Sequence, residues 1–394
     1  MKKFCISRFV SLVLACLMLL SFCAFADGIW YTPEEEKSLE TGTGSFPTLS
    51  CESFVTMDLK TGEVLYSKNE TTSLPMASTT KMMTALVVVE REDLDRIVTV
   101  DEKSCGIEGS SVNLYKGEKI SIRDLLYALM LESANDAAVC LARAVSGSVE
   151  EFAALMNEKA KEIGMTGSNF VNPHGLEDPE HYSTALDLAL LWQYGMKNDV
   201  LRQIVSTKNY KIELENGEGY RFLSNHNKLL KNYDSCIGGK TGFTKKAGRC
   251  LVSVCEKDSV EIVTVTLNDP NDWEDHKSLF EYAMSEYSHV KLAGEGEISV
   301  SVAVVGGKEK NVTMANRESL EISVRDLAKI TSCIEAPRFL YAPVVKGDTP
   351  CGRAVFYYDG KEIAAIDLYP LEEVEMVEVK VGFFQKIWNF ITGK

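Results

Sequence analysis

The sequence contains little histidine and no recognisable metal-binding motif. Only 5 of its 394 residues are histidine, and none of them occurs in a His-Glu-x-x-His pattern or in another spacing typical of a zinc site. There is also no Cys-x-x-Cys pair, the spacing that indicates redox motifs and many zinc sites. The sequence therefore predicts an activity that uses neither a metal ion nor another cofactor.

Positive charge is scarce as well. The chain has 42 Lys and Arg residues against 57 Asp and Glu residues, a formal net charge of −15. Proteins that bind nucleic acid need basic surface to neutralise phosphates, so this class is excluded. The remaining composition is that of a soluble globular protein, no internal repeat stands out, and the length suggests two domains.

The first 26 residues have the pattern of a secretory signal. A charged start, an apolar run and a small-x-small cleavage motif follow one another at Lys2-Lys3 with Arg8, at Phe9–Phe22 and at Ala24-Phe25-Ala26. We expect export and a mature chain that begins at Asp27, with a loose lead-in to residue 50. A lipoprotein site at Cys23 fits poorly because bulky Phe22 precedes it, and an uncleaved anchor is the other alternative.

Cysteine is plentiful by comparison. Eleven cysteines include three in the signal region. The eight that remain in the mature chain are Cys51, Cys105, Cys140, Cys236, Cys250, Cys255, Cys333 and Cys351. Export permits disulfides, but spacing alone cannot establish their pairing, so disulfides and buried free thiols both stay open.

Ser78-Thr79-Thr80-Lys81 is the most informative stretch of the chain. A serine hydroxyl is a poor nucleophile at neutral pH and needs a base held against it. If a helix begins at Ser78, Lys81 lies one turn further on the same face, where its amine reaches the hydroxyl. That amine has to be partly neutral to accept a proton, which requires burial or nearby positive charge. Alone, Ser78 would be read equally well as a helix cap.

Two further signals follow in order, Ser133-Ala134-Asn135 and then Lys240-Thr241-Gly242. Each is weak by itself. Together with Ser-x-x-Lys they form the signature of class A β-lactamases and penicillin-binding proteins, except that the middle signal there reads Ser-Asp-Asn. Lys240 is a plausible source of the charge that lowers the pKa of Lys81.

Longer segments of the sequence indicate a more specific family within this group. The chain resembles the serine D-alanyl-D-alanine carboxypeptidases, the low-molecular-weight penicillin-binding proteins of peptidase family S11. The segments that carry this resemblance lie between about residues 50 and 285 and are 74–86, Asn172-Pro173-His174-Gly175-Leu176, 225–230 and 238–242. The Pro and Gly beside His174 predict a structural turn rather than a catalytic histidine.

The resemblance implies a role for each site residue. Ser78 would be the nucleophile, Lys81 its base and Ser133 the proton shuttle to the leaving amine, while Asn135 would orient Lys81 and the substrate amide. Lys240 and Thr241 would bind the substrate carboxylate, Gly242 would leave room for the substrate backbone, and the amides of Ser78 and Phe243 would form the oxyanion hole. The implied substrate is the peptidoglycan stem pentapeptide, and the implied inhibitors are β-lactams.

Three rival functions remain open. A class A β-lactamase needs Glu in a Glu-x-x-Leu-Asn string, and no such string lies between Asn135 and Lys240. An endopeptidase or transpeptidase on the same fold has the same motifs. An inactive penicillin-binding scaffold would not need the complete triple.

Residue patterns predict an α+β fold. Strands at both ends of residues 51–289 with helices between them indicate an antiparallel sheet covered by helices, with Ser133 on a loop and Lys240-Thr241-Gly242 on an edge strand. This is the β-lactamase/transpeptidase-like catalytic domain that the resemblance implies. Alternating strands and an Asp359-Gly360 turn predict a small β-rich domain over 290–379.

The last residues, 380–394, predict a membrane anchor. Apolar residues recur on one helical face at Phe383, Phe384, Ile387, Trp388 and Ile391, beside Lys380, Lys386 and Lys394. The segment is too short to span a bilayer but suits an interfacial amphipathic helix. We expect the chain to lie on the outer face of the cytoplasmic membrane as a peripheral protein. A helix packed on its own protein is the alternative.

Overall fold

The computed structural model describes residues 45–214 and 219–378. The chain divides into two compact units, with the boundary between Tyr287 and Ser288. The signal peptide expected at 1–26 and the anchor helix expected at 380–394 lie outside the described residues. Across the two described ranges, no helix is both long and apolar enough to cross a membrane.

The first unit is built on a five-stranded sheet with the order β2-β1-β9-β8-β7, in which all neighbours are antiparallel. Its strands are β1 (Ser53–Asp58), β2 (Val64–Lys68), β7 (Cys236–Thr244), β8 (Gly248–Lys257) and β9 (Val260–Leu267). Two small hairpins lie outside this sheet, one of β3 (Ile97–Thr99) with β4 (Lys119–Ser121) and one of β5 (Asn209–Glu213) with β6 (Tyr220–Ser224). The predicted edge position of the Lys240 strand is confirmed, since β7 pairs with β8 alone among the described strands.

Helices cover both faces of this sheet. They are α1 (Lys81–Arg91), α2 (Ile122–Leu131), α3 (Asn135–Ser146), α4 (Val149–Glu162), α5 (Ala185–Gly195), α6 (Asp199–Ser206), α7 (Leu229–Asn232) and α8 (Asp272–Met284). Alternate residues of β8 enter different cores: Val252 and Val254 join the large helical core, while Leu251 packs in the cluster that contains Phe280 of α8. Because the sheet is buried on both faces, the site at its free edge rests on a rigid support.

The second unit, described from residue 288 to 378, is all β apart from a short 3₁₀ turn. Its strands are β10 (Ser288–Ala293), β11 (Ser299–Val305), β12 (Asn311–Asn316), β13 (Leu320–Val324), β14 (Ile330–Glu335), β15 (Phe339–Tyr341), β16 (Gly352–Tyr358) and β17 (Lys361–Pro370). Six of them form a sheet in the order β14-β16-β17-β12-β11-β15, and β10 pairs with β13. The predicted hairpin turn is confirmed, since Asp359 and Gly360 both have positive φ and join β16 to β17.

Candidate active site

Ser78 lies in a tight 3₁₀ turn, Ala77–Thr80, that leads directly into α1. The α-helix itself begins at Lys81, three residues later than the sequence predicts. Two hydroxyls close the turn on itself: Thr79 Oγ1 donates to the Met76 carbonyl at 2.6 Å and Thr80 Oγ1 to the Ala77 carbonyl at 2.8 Å. Side-chain bonds of this local kind favour a turn over a regular helix, and they leave the Ser78 hydroxyl partly exposed.

Lys81 is fully buried, and its amine touches three oxygens. Nζ lies 2.8 Å from Ser78 Oγ, 2.7 Å from Asn135 Oδ1 and 2.6 Å from the His174 carbonyl oxygen. Asn135 Oδ1 and the His174 carbonyl are both acceptors, so they take two N–H bonds. In its neutral form the amine has two N–H groups for these two acceptors, and its lone pair is then free to accept from the Ser78 hydroxyl.

The electrostatic surroundings of Lys81 favour that neutral form. Burial lowers the pKa of Lys81 well below its usual value, and the positive charge of Lys240 lowers it further, while the carboxylate of Asp136 opposes both. Removing an ammonium group from water disfavours its charged form, and a like charge adds to the effect. The expected contribution of Lys240 is therefore present, although burial is the larger cause.

Ser133 lies in the connection between α2 and α3, as the sequence predicts, whereas Asn135 is the first residue of α3. Ser133 has a positive φ of 58°, a conformation that non-glycine residues seldom adopt. Asn135 donates Nδ2 to the Glu108 carbonyl at 2.6 Å, which turns its Oδ1 toward Lys81. The backbone of Ser133 and the hydrogen bond of Asn135 thus direct both side chains toward the two buried lysines, Ser133 toward Lys240 and Asn135 toward Lys81.

Lys240, on β7, faces Ser133. Its Nζ lies 3.0 Å from Ser133 Oγ and 2.9 Å from the Thr241 carbonyl, and the side chain is 2 % exposed. Burial lowers the pKa of Lys240 to about 7. A cation held this way can change protonation state near neutral pH and can become fully charged when an anion binds beside it.

Gly242, the last residue of the Lys240-Thr241-Gly242 motif, allows β7 to approach the turn that contains Ser78. A Cβ placed on Gly242 would lie 3.0 Å from the Ser78 amide nitrogen and 3.2 Å from the Met76 carbonyl, so β7 approaches the turn as closely as a glycine allows. The Thr241 side chain is partly exposed, and the Phe243 side chain is 67 % exposed.

The His174 main chain is a part of the site that sequence reasoning missed. The turn predicted at Asn172–Leu176 is present, since Asn172 Oδ1 accepts from the His174 and Gly175 amides at 3.2 and 2.7 Å. The main-chain carbonyl of His174 accepts a hydrogen bond from Lys81 Nζ. Burial lowers the pKa of the His174 ring to about 3. A carbonyl occurs at every residue, so no residue type could have signalled this role.

The buried side chains of His181 and Asp136 form hydrogen bonds that stabilise the segments around the site. His181 Nδ1 accepts from the Val171 amide at 3.1 Å, so its Nε2 carries the proton and donates to Thr80 Oγ1 at 2.8 Å. Asp136 is wholly buried and accepts from Ser111 Oγ at 2.6 Å and the Leu114 amide at 2.9 Å. Sequence position hinted only at Asp136, which directly follows Asn135.

Acid is expected to destabilise this unit through its buried histidines. Burial lowers the pKa of His174, His181 and His276 to about 3, 4 and 3. Since an unfolded histidine titrates near 6.5, the unfolded chain binds more protons below that pH, and the free energy of unfolding falls as pH drops. At pH 5 the loss approaches about 2 kcal/mol per histidine.

Urea unfolding at pH 7.5 and 5.0 measures this loss. A His276→Gln variant is the matched control, because His276 donates to or accepts from Thr266 Oγ1 at 2.9 Å, far along the chain from the Ser78 turn. It should retain full activity and lose roughly a third of the pH dependence. Equal stability of the parent at the two pH values would contradict the expectation.

The arrangement has a definite chemical capacity. A serine hydroxyl faces the lone pair of a buried amine, a second buried amine supplies positive charge, and an unpaired strand edge passes beside the nucleophile. Such a site can attack a carbonyl carbon, protonate a leaving group and hold an extended chain that ends in an anion.

Comparisons with known proteins match both units. The family model described as D-alanyl-D-alanine carboxypeptidase matches residues 40–271, and the model of the penicillin-binding protein 5 C-terminal domain matches residues 287–376. D-alanyl-D-alanine carboxypeptidase DacF of Bacillus subtilis is 31 % identical over 342 residues, which cover 84 % of this chain and 86 % of that protein.

Solved structures agree with these matches. The crystal structure of the D-alanyl-D-alanine carboxypeptidase DacD from Francisella tularensis is similar with a TM-score of 0.61 and 25 % identity, over 87 % of this chain and 98 % of that one. The Streptomyces K15 DD-transpeptidase is similar with a TM-score of 0.58 and 30 % identity, over 61 % of this chain and all of that one (100 %).

Proposed function

Because the chain belongs to the D-alanyl-D-alanine carboxypeptidases of peptidase family S11, we propose that it removes the terminal D-alanine of peptidoglycan pentapeptides through an acyl-enzyme on Ser78. The observation that carries this mechanism is the position of the Lys81 amine, 2.8 Å from the Ser78 hydroxyl with two other acceptors occupying its N–H groups.

Acylation begins when Ser78 Oγ attacks the carbonyl between the two D-alanines and its proton passes to Lys81 Nζ. The carbonyl oxygen becomes an oxyanion, which the amides of Ser78 and Phe243 stabilise. The C–N bond then breaks, and the leaving amine of D-alanine takes a proton from Ser133 Oγ, which Lys240 holds in hydrogen-bond contact at 3.0 Å. The proton that Lys81 took from Ser78 replaces the one lost by Ser133, so Lys81 returns to its neutral form.

Substrate binding uses the free edge of β7. The terminal carboxylate lies against Lys240 and the Thr241 hydroxyl, and the peptide backbone runs beside Gly242, where no side chain intervenes. Asn135 holds the substrate amide from the opposite side. Water then attacks the acyl-enzyme and gives a proton to Lys81. The ester bond to Ser78 Oγ breaks, Lys81 returns the proton to that oxygen, and the shortened peptide leaves. A β-lactam enters by the same attack, since its ring carbonyl resembles the cleaved peptide bond.

The test is product analysis with the mature chain and a stem pentapeptide, with Ser78→Ala as the blank. We expect free D-alanine and tetrapeptide in equal amounts, and a penicillin adduct on the peptide that contains Ser78. Adduct formation without D-alanine release, under conditions in which the parent is folded, would overturn the carboxypeptidase proposal.

A transpeptidase is the second candidate, and it is supported by the likeness to the Streptomyces K15 DD-transpeptidase. The two activities differ only in whether water or an amine accepts the acyl group. Adding an amino-acid acceptor and measuring the ratio of exchanged peptide to tetrapeptide separates them, and a cross-linked muropeptide dimer tests endopeptidase activity in the same way.

The dependence of kcat/KM on pH should reflect the protonation state of Lys240. With a pKa of about 7 in the free enzyme, Lys240 loses its charge as pH rises. The kcat/KM for a carboxylate-ended peptide should therefore fall above pH 7, by up to about tenfold per pH unit. A Lys240→Arg variant keeps its charge at high pH and should lose this alkaline fall, whatever its absolute rate. The same fall in both proteins would show that another group causes it.

We also propose export by the signal at 1–26 and anchoring by residues 380–394, on the sequence patterns alone. Deleting 380–394 should release the mature chain from vesicles that carry anionic lipid while D-alanine release in solution stays the same. Co-sedimentation with such vesicles measures the change. Unchanged co-sedimentation of the shortened chain would place the membrane contact elsewhere.

A further inference from the structure

A buried cluster of one thiol and two carboxylates lies at the start of β1, apart from the residues of the active site. Cys51 precedes β1, Asp269 follows β9, and Asp275 is in the first turns of α8. Since β1 and β9 pair antiparallel with Ser53 opposite Leu267, the chain brings Cys51 beside Asp269. The ligand atoms of all three lie within 4.8 Å of one another, and the residues are 1 %, 0 % and 6 % exposed.

The two carboxylates share too few donors. Ser50 Oγ lies 2.6 Å from Asp269 Oδ1 and 3.0 Å from Asp275 Oδ2, yet a hydroxyl has one proton and can donate to one of them only. The other partners are the main-chain amides of Ser50, to Asp275 at 2.6 Å, and of Asn271, to Asp269 at 3.2 Å, together with the Thr266 side chain and the Asp275 carboxyl, which also hydrogen-bond Asp269. Each of these donors is uncharged.

No lysine or arginine of the described residues forms an ion pair with either carboxylate. Lys68, whose charge acts on Cys51, donates to the Cys51 carbonyl at 2.7 Å. Buried carboxylates are normally paired with a cation or bound to a metal ion, because the cost of removing them from water is large.

A second observation concerns Asp269 by itself. The residue is fully buried, and its Oδ2 has no hydrogen-bond partner among the described residues. Buried polar atoms in native proteins nearly always have a partner, so an orphan carboxylate oxygen within a cluster of ligand atoms indicates a missing positive group.

We propose that Cys51, Asp269 and Asp275 bind one divalent metal ion, with Zn²⁺ as the best fit. Zinc accepts both thiolate and carboxylate ligands, whereas calcium and magnesium require oxygen ligands only. The Cys51 S–H bond breaks as the S–Zn bond forms, and the proton leaves to solvent. Bonds of about 2.0–2.3 Å place the ligands of a tetrahedral zinc closer together than 4.8 Å, so the side chains draw inward on binding.

The ion would have a structural role. It joins the entry into β1 to the β9–α8 corner, two parts of the chain that lie far apart in sequence. None of the hydrogen bonds of Ser50, Cys51, Asp269 or Asp275 reaches Ser78 or Lys81, so the proposal stands or fails independently of the catalytic mechanism. No spacing in the sequence indicates this site, since its ligands come from distant segments.

The experiment uses the full mature chain, stripped with chelator and dialysed against Zn²⁺. We expect one zinc per chain by elemental analysis and a rise in Tm of about 5–10 °C with excess zinc. Co²⁺ in place of Zn²⁺ should give a thiolate-to-cobalt charge-transfer band, which only a cysteine ligand produces. D-alanine release should be the same with and without zinc.

The variants locate the ion. Cys51→Ser should abolish the cobalt band, and Asp275→Asn should weaken zinc binding at least about tenfold. Cys255→Ser is the matched control, since Cys255 is equally buried but packs in the hydrophobic cluster that contains Phe280 and is not one of the three clustered ligand residues. Penicillin labelling verifies that each variant is folded. No zinc bound by the parent, or zinc retained by Cys51→Ser and lost by Cys255→Ser, would overturn the proposal.

Discussion

Replacing Lys81 with methionine is expected to slow the acylation of Ser78 by about 10³- to 10⁴-fold. Methionine has a similar volume but no basic nitrogen to receive the serine proton, and no donor for Asn135 Oδ1 and the His174 carbonyl, which lie 2.7 and 2.6 Å from Nζ in the parent. The rate of labelling by a fluorescent penicillin measures acylation, and D-alanine release measures turnover. Both should fall together.

Lys81→Arg separates the two ways in which this residue could act. Arginine preserves the positive charge but does not lose its proton, so it cannot serve as a base. If Lys81 acts by accepting a proton, Lys81→Arg is as slow as Lys81→Met. Substantial recovery of acylation with arginine would show that the charge alone matters, and it would contradict the neutral amine inferred from the contacts.

Gly175→Ala is expected to be the most damaging single change outside the proposed catalytic residues. Gly175 has a φ of +88°, and a Cβ at this position would lie 1.9 Å from the Ala77 carbonyl oxygen. That carbonyl belongs to the turn that positions Ser78, so relief of the clash has to move the nucleophile. We expect a loss of at least about 3 kcal/mol of unfolding free energy. Any folded fraction should acylate about 10²-fold more slowly.

Gly117→Ala is the matched control for Gly175→Ala. Gly117 has nearly the same φ, +87°, but a Cβ there meets nothing within 4 Å. It therefore reports the cost of the left-handed backbone alone, about 1–2 kcal/mol, without an effect on acylation. Urea unfolding and penicillin labelling of both variants give the comparison. Equal losses in the two variants would mean that the contact with Ala77 is unimportant.

The sequence predicts those parts of the site that depend on local spacing. Ser78 and Lys81 are separated by one turn, and this remains true although the chain forms a 3₁₀ turn first and the α-helix starts at Lys81. The edge strand at Lys240 and the loop at Ser133 were also recognisable, because β-rich runs and interrupted helical patterns are local features.

Contacts made by the main chain or by distant residues were not predictable. The His174 carbonyl reaches Lys81 across 93 positions of sequence. His181 supports the Ser78 turn through Thr80, 101 positions away, and has no motif of its own. Whether the cysteines form disulfides could not be predicted from pattern and spacing either. All eight described cysteines are free thiols.

The free edge of β7 also has a consequence for how the protein behaves in concentrated solution. An unpaired edge offers a row of main-chain donors and acceptors to any extended segment, including one from another copy. If the substrate binds as a temporary sixth strand, as proposed above, this edge has to stay uncovered. Lys245 and Lys246, which follow β7 directly, place like charges at the end of the edge. Charge at this position hinders self-association while the strand itself stays open for a short peptide.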